Sequence, residues 1–198
     1  VPGDAIREAL SGPGSLVYTP DPRGMMSARQ AVARWYEREG FSVSPERLVL
    51  TASTSEAYSW LFKLLCDPGD RVLVPRPSYP LFEHLTALEC VEASPYELDP
   101  HGHWRIDVDA LARQIDERTK AVLAVPPNNP TGSVVDRAEL DALAAVCAAH
   151  DLVLIGDEVF ADYRLDGELP APSVIQQDQA VAVSLGGLSK SVGLPQVK

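Results

Sequence analysis

Two residues late in the chain, Asp157 and Lys190, are of types that hold charge, move protons or attack carbonyl carbons, and each follows a short apolar run. Lys190 sits in Gly186-Gly187-Leu188-Ser189-Lys190-Ser191, just after Val181-Ala182-Val183. A lysine in a tight, partly desolvated turn loses its charge more readily and becomes a nucleophilic amine suited to Schiff-base chemistry, whereas a solvated surface lysine does not. Asp157 ends the run Leu154-Ile155-Gly156. A carboxylate there needs a partner, because an unpaired buried charge is expensive; it either caps the next turn or faces a cationic ligand nitrogen. Upstream, Ser53-Thr54-Ser55 marks a turn into a helix. Hydroxyls beside the free N–H groups of a helix start make an anion site of phosphate size, or else a plain N-cap with Glu56 in the first turn. In Pro126-Pro127-Asn128-Asn129-Pro130-Thr131-Gly132 a rigid turn fixes the Asn129 amide, although Asn-Pro and Thr-Gly are also ordinary turn formers. Tyr79, between Ser78 and Pro80, either stacks on a planar ring or packs under a loop.

These residues must be positioned by the elements that precede them. Short apolar runs alternate with amphipathic segments, the signature of an α/β architecture. Strands are predicted at Arg47–Leu50, Val72–Val74, Cys90–Leu98, Ala121–Val125, Leu152–Ile155 and Ala180–Val183. Helices are predicted after Thr51, near Leu81–Glu89, over Asp107–Glu117 with Val108, Leu111 and Ile115 on one face, and over Arg137–Asp151 with Leu140, Leu143, Ala144 and Cys147 on one face. Asp166–Ser173 reads as a surface loop. Near-continuous apolar strands separated by helices imply a mostly parallel sheet covered on both faces, a three-layer α/β/α fold. The polar segments each come just after a predicted strand, and in such a sheet the carboxyl ends line the ligand crevice. Five strand ends therefore aim polar groups at one edge.

Composition narrows the partners. The net charge of −11, from 28 acidic against 17 basic residues, argues against nucleic acid or an anionic membrane as the main partner. A small anion held by local donors remains compatible. No apolar run approaches the ~20 residues of a membrane span, and no signal peptide is visible. Cys66, Cys90 and Cys147 form no CxxC pair or His/Cys cluster, so no metal site is expected; they read as buried free thiols of a reducing compartment, the cytoplasm.

Asn129 in NNPTG, Asp157 in DEVFADY and Lys190 in LSK, in this order, resemble the class I/II aminotransferases, pyridoxal-phosphate enzymes of fold-type I, and the resemblance runs from Tyr18 to Lys198. It implies a segment 1–44 leading into a cofactor-binding large domain, 45–198. It implies pyridoxal 5'-phosphate as cofactor, with Lys190 forming the Schiff base to its aldehyde and later shuttling a proton. Asp157 would pair with the protonated pyridine nitrogen, Asn129 would bond the phenolic oxygen, Tyr79 would stack on the ring, and Ser53, Thr54 and Ser55 would hold the phosphate. Tyr18 matches a tyrosine that reaches the cofactor phosphate of the neighbouring subunit, which implies a homodimer. The implied reaction moves an amino group between an amino acid and a 2-oxo acid. A lyase or decarboxylase of the same fold is the alternative, followed by an inactive fragment or the sensor domain of an aminotransferase-like regulator.

Several positions depart from the family pattern. Phe160 stands where a tyrosine hydroxyl commonly helps hold the phenolic oxygen, with Tyr163 or water as substitutes. Gly187 replaces a common serine, and Ser53 stands where a glycine is frequent. Lys198 occupies the place of a phosphate-binding arginine; it neutralises charge but lacks the bidentate fork. Family members continue with a further strand and a small domain that carries the substrate-carboxylate arginine. The 198 residues are accordingly expected to be a truncated large domain, poorly stable and inactive alone.

Overall fold

The computed structural model describes residues 3–163 and 172–194. The chain divides into two compact units, Val1–Ala52 and Ser53–Lys198. The first holds α1 (Gly3–Leu10), α2 (Met26–Arg38) and a 3-10 turn at Pro45–Arg47. Arg29 of α2 is buried, and its guanidinium donates to the Gly24 and Pro45 carbonyls, both at 2.9 Å, and to Asp21 at 3.0 Å. The strand predicted at Arg47–Leu50 does not form. Ser44 caps the 3-10 turn by accepting from the Glu46 amide, and the Leu50 amide bonds the Arg23 carbonyl at 2.9 Å instead of a neighbouring strand.

The second unit is built on a six-stranded sheet of order β3-β2-β1-β4-β5-β6. Its strands are β1 (Arg71–Arg76), β2 (Glu92–Asp99), β3 (Arg105–Ile106), β4 (Thr119–Ala124), β5 (Val153–Asp157) and β6 (Ala182–Leu185). All neighbours are parallel except the two-residue β3, which runs antiparallel to β2. The helices are α3 (Thr54–Leu65), α4 (Leu81–Leu88), α5 (Val108–Ala112), α6 (Arg137–Ala149) and α7 (Leu188–Ser191). The mostly parallel α/β architecture read from the sequence is thus present, with strand limits shifted by one or two residues.

Side-chain alternation sorts the core into two layers. Leu73, Val122, Ala124 and Leu154 pack with Leu111 of α5 and with Leu140, Leu143, Ala144 and Cys147 of α6. Val72, Val74, Ala121, Leu123 and Ile155 point the other way, against Tyr58 and Phe62 of α3 and Phe82 of α4. Period two in a strand requires this division, and fully apolar strands allow it on both faces. α6 starts with a capping box: Asp136 accepts from the Glu139 amide at 2.9 Å, and Glu139 accepts from the Asp136 amide at 3.1 Å. The same Glu139 carboxylate accepts from the Ile106 amide at 3.0 Å, tying β3 to α6. α5 is shorter than predicted, but Val108, Leu111 and Ile115 still share one core cluster.

Two further expectations change. Cys147 is buried and Cys66 half-buried, but Cys90 is exposed, on a turn with φ of 57°. Of the segment read as a surface loop, 166–171 lies outside the described residues, while Ser173 is buried and caps a 3-10 turn at Val174–Gln176.

Candidate active site

Parallel strands bring their carboxyl ends to one edge, and the registers align them. Ala124 pairs with Gly156, and Asp157 with Leu185. Chain order runs from β1 outward to β2 on one side and from β4 to β5 and β6 on the other, so direction reverses between β1 and β4. Such a switch point is where open α/β sheets place their ligand crevice. Four strand ends contribute there, not five: the segment before Ser53 is not a strand. α3 nevertheless begins at this edge. Tyr58, one turn into α3, donates from its hydroxyl to Asp157 Oδ2 at 2.6 Å, at the end of β5. At its other end, Cys66 lies in the fields of Asp70 and Lys120, where β1 and β4 start.

Ser53 is the N-cap of α3 and accepts from the Glu56 amide at 3.3 Å, with Glu56 in the first turn. The capping alternative is therefore realised at Ser53, and it leaves the anion reading open, since one cap does not use all the donors of a first helical turn. Ser53, Thr54 and Ser55 are all half-buried.

The turns after β1 and β4 are joined by a residue that nothing in the sequence favoured over its neighbour. Asn128 is buried; its amide donates to the Pro77 carbonyl at 3.0 Å and to Thr131 at 2.9 Å, and it accepts from Ser78 at 3.3 Å. Asn129 is half-buried, and no bond of its side chain is formed among the described residues. The peptide bonds Arg76-Pro77, Pro126-Pro127 and Asn129-Pro130 are cis, and Gly132 closes the turn at φ of 73°. Only glycine takes that conformation without strain. Tyr79 is exposed, with Phe82 edge-on at 6.0 Å, so its ring does not lie beneath a loop.

Asp157 is half-buried, with Oδ1 accepting from the Val159 amide at 3.3 Å and Oδ2 from Tyr58. Burial raises its carboxyl above the usual range, and these two donors offset that only in part. Next in sequence, Glu158 is buried and turns away, accepting from Ser173 and Ser184 at 2.7 Å each and from the Val174 amide at 2.8 Å.

Lys190 lies in the four-residue α7 and is exposed, not partly desolvated as its small-residue context predicted. Its Nζ is 5.9 Å from the Phe160 ring centroid, and the Tyr163 hydroxyl donates to its carbonyl at 3.3 Å. The preceding glycines are not imposed by the chain's own packing. A Cβ at Gly186 would meet nothing within 4 Å, and one at Gly187 would make only ordinary contacts, with Val159 from 3.5 Å and the Ser189 hydroxyl at 3.9 Å. Open space there is what a ligand lying close to the backbone needs. Tyr18 lies in the first unit, 90% exposed, and Lys198 lies outside the described residues.

Residues 3–197 match the family described as aminotransferase class I and II. Among curated proteins, the chain is 35% identical over 185 residues to the aspartate/prephenate aminotransferase of Thermus thermophilus, covering 91% of the chain and 47% of that protein. It is 32% identical over 195 residues to an S-alkyl-thiohydroximate lyase of Arabidopsis thaliana, covering 97% of the chain and 42% of that protein. Among solved structures, a double mutant of Thermus thermophilus aspartate aminotransferase superposes with a TM-score of 0.84 at 32% identity, covering 97% of the chain and 50% of that structure. The chain spans about half the length of the relatives it matches. Its architecture is that of the fold-type I aminotransferases.

Proposed function

The chain belongs to the aminotransferase class I and II family, whose members depend on pyridoxal phosphate, and on that premise we propose that it forms the cofactor-binding part of an enzyme moving an amino group between an amino acid and a 2-oxo acid. The observation that carries this reading is Asp157: a carboxylate at the end of β5, raised by burial and held by two donors among the described residues, suits a cationic nitrogen as a further partner. The residues present fit the cofactor. Asp157 holds the proton of the ring nitrogen, Asn129 donates its amide to the phenolic oxygen, and Tyr79 offers its exposed ring for stacking. Ser53, Thr54 and Ser55 present hydroxyls and first-turn amides to the phosphate. The cofactor, when bound, acts as an electron sink for the substrate carbon. Lys190 supplies the amine that anchors it and the base that moves the proton, and Phe160 offers a ring where a hydroxyl donor is common.

The exposed Tyr18 supports a homodimer in which this residue serves the neighbouring site. Three free cysteines support a reducing, cytoplasmic setting, and the family supports a place in amino-acid metabolism. No helix among the described residues is long and apolar enough to cross a membrane. A lyase is the second reading, favoured by the thiohydroximate lyase among the relatives. Borohydride reduction of the full chain with pyridoxal phosphate should fix the cofactor to Lys190 alone, as peptide mass spectrometry would show. A label mapping elsewhere refutes the site. In separate, unreduced protein given an amino acid, a transaminase releases a 2-oxo acid without ammonia or carbon dioxide, and a lyase or decarboxylase releases one of them.

A further inference from the structure

Two tyrosines of the second unit are almost wholly buried, and they spend their hydroxyls differently. Tyr96, on β2, donates to the neutral Leu123 carbonyl at 2.8 Å, which is all that a buried hydroxyl requires. Tyr58 instead donates to a carboxylate, Asp157 Oδ2, at 2.6 Å across 99 residues of sequence. Its ring is 2% exposed and wedged between Phe62 at 5.8 Å and Phe82 at 5.4 Å, so the hydroxyl cannot swing away. We propose that Tyr58 is a positioning residue of the site, holding Asp157 ionised and aimed at the cationic ring nitrogen of the cofactor.

This rests on the cofactor reading above and deepens it. Burial and the Asp157 charge push the Tyr58 hydroxyl well above its ordinary range, so it stays protonated and remains a donor. The titratable groups that meet at the end of β5 are Tyr58, Asp157 and Glu158; the negative charges of the last two oppose each other. The Glu158 carboxylate is committed to Ser173, Ser184 and the Val174 amide and gives Asp157 no proton. Of the two donors to Asp157 among the described residues, the Val159 amide is the more distant, at 3.3 Å, and comes from the adjoining backbone. Tyr58 is therefore the side chain that offsets the cost of ionising Asp157, and a hydrogen bond to a charged acceptor is the stronger kind.

The test is a double-mutant cycle in the full chain, with pyridoxal 5'-phosphate as the probe and its dissociation constant read by absorbance. Tyr58→Phe keeps the ring between Phe62 and Phe82, and thermal unfolding checks that the fold survives. It should weaken binding about tenfold and raise the acid limb of the binding profile by about one pH unit. In an Asp157→Asn background the same change should have no further effect. Tyr58→Phe binding within twofold of the parent, or an equal loss in the Asp157→Asn background, overturns the positioning role. Asp157→Asn binding like the parent would overturn the cofactor reading itself, which keeps the two failures apart. Should Tyr58→Phe not fold, 4-aminophenylalanine at position 58, which keeps the ring and puts an N–H donor where the hydroxyl stood, should bind within a few-fold of the parent; a loss beyond tenfold with an unchanged unfolding midpoint overturns the proposal.

Discussion

Truncating Glu158 to alanine should be among the more damaging single changes in the second unit. Its carboxylate is 9% exposed and accepts three hydrogen bonds: from Ser173 and Ser184 at 2.7 Å each and from the Val174 amide at 2.8 Å. Bonds to a charged acceptor contribute about 1.5–3 kcal/mol each, but they are not additive, and the two hydroxyls can rotate toward other acceptors. The Val174 N–H cannot rotate. Leaving it unpaired, together with the cavity, puts the cost of Glu158→Ala at about 3–4 kcal/mol. For a chain of this size that is roughly 6–16 °C in the unfolding midpoint. Glu158→Gln keeps an acceptor for the Val174 amide and should cost about 1 kcal/mol. Burial pushes the Glu158 carboxyl up, with the Asp157 charge adding to it. A folded-state pKa above the ordinary value contributes stability below the usual glutamate range, and that contribution is lost as pH rises through the folded value. The deficit of Glu158→Gln relative to the parent should therefore shrink as pH is raised from about 4 upward. Denaturant unfolding at several pH values measures both effects. Equal damage from Ala and Gln, or a deficit that grows with pH, would refute the reasoning.

The remaining expectations are simpler. Thiol labelling should proceed first at exposed Cys90 and then at half-buried Cys66, whose thiol burial and Asp70 push up to about 11; Cys147, pushed by burial to about 12, should react only on unfolding. Mass spectrometry of the timed adducts checks the order. Arg29→Ala should cost about 2–4 kcal/mol in the first unit, because it removes a buried side chain and leaves the Gly24 and Pro45 carbonyls without their guanidinium donor, and hydrogen exchange at α2 would read that loss locally. A bond from the Arg23 amide, with Arg29 beside it, holds the Asp21 carboxyl below its usual range; this stabilises the unit above the ordinary aspartate pKa and is lost as pH falls through the depressed one.

The sheet was legible because buried parallel strands leave unmistakable runs such as Val72–Val74 and Ala121–Val125, and α6 because its cap and its apolar period agree. Arg47–Leu50 misled for the converse reason: a short apolar run carries no record of whether another strand will pair with it, and here a loop carbonyl took the Leu50 amide. β3 is too short to show any period. Among the proposed site residues, Asp157, Asn129 and Lys190 stand out in the sequence because they follow apolar strands. Tyr58 and Asn128 did not. An aromatic on the core face of a helix reads as packing, and the first of two asparagines in a turn is indistinguishable from the second until partners 99 and 51 residues away are in place.

The strand order also bears on how the molecule assembles. β1 and β2 are joined by α4 alone and pair Arg71 with Glu92, so this unit is local and can form early. The inner neighbour of β1 is β4, which the chain delivers only after β2, β3 and α5 have been made. Until Thr119–Ala124 docks, the apolar Val72–Val74 segment offers its backbone to any passing strand. Among the strands that end up paired on both sides, β1 is thus the one whose edge stays open longest during synthesis, and mispairing has its longest opportunity at the centre of the finished sheet.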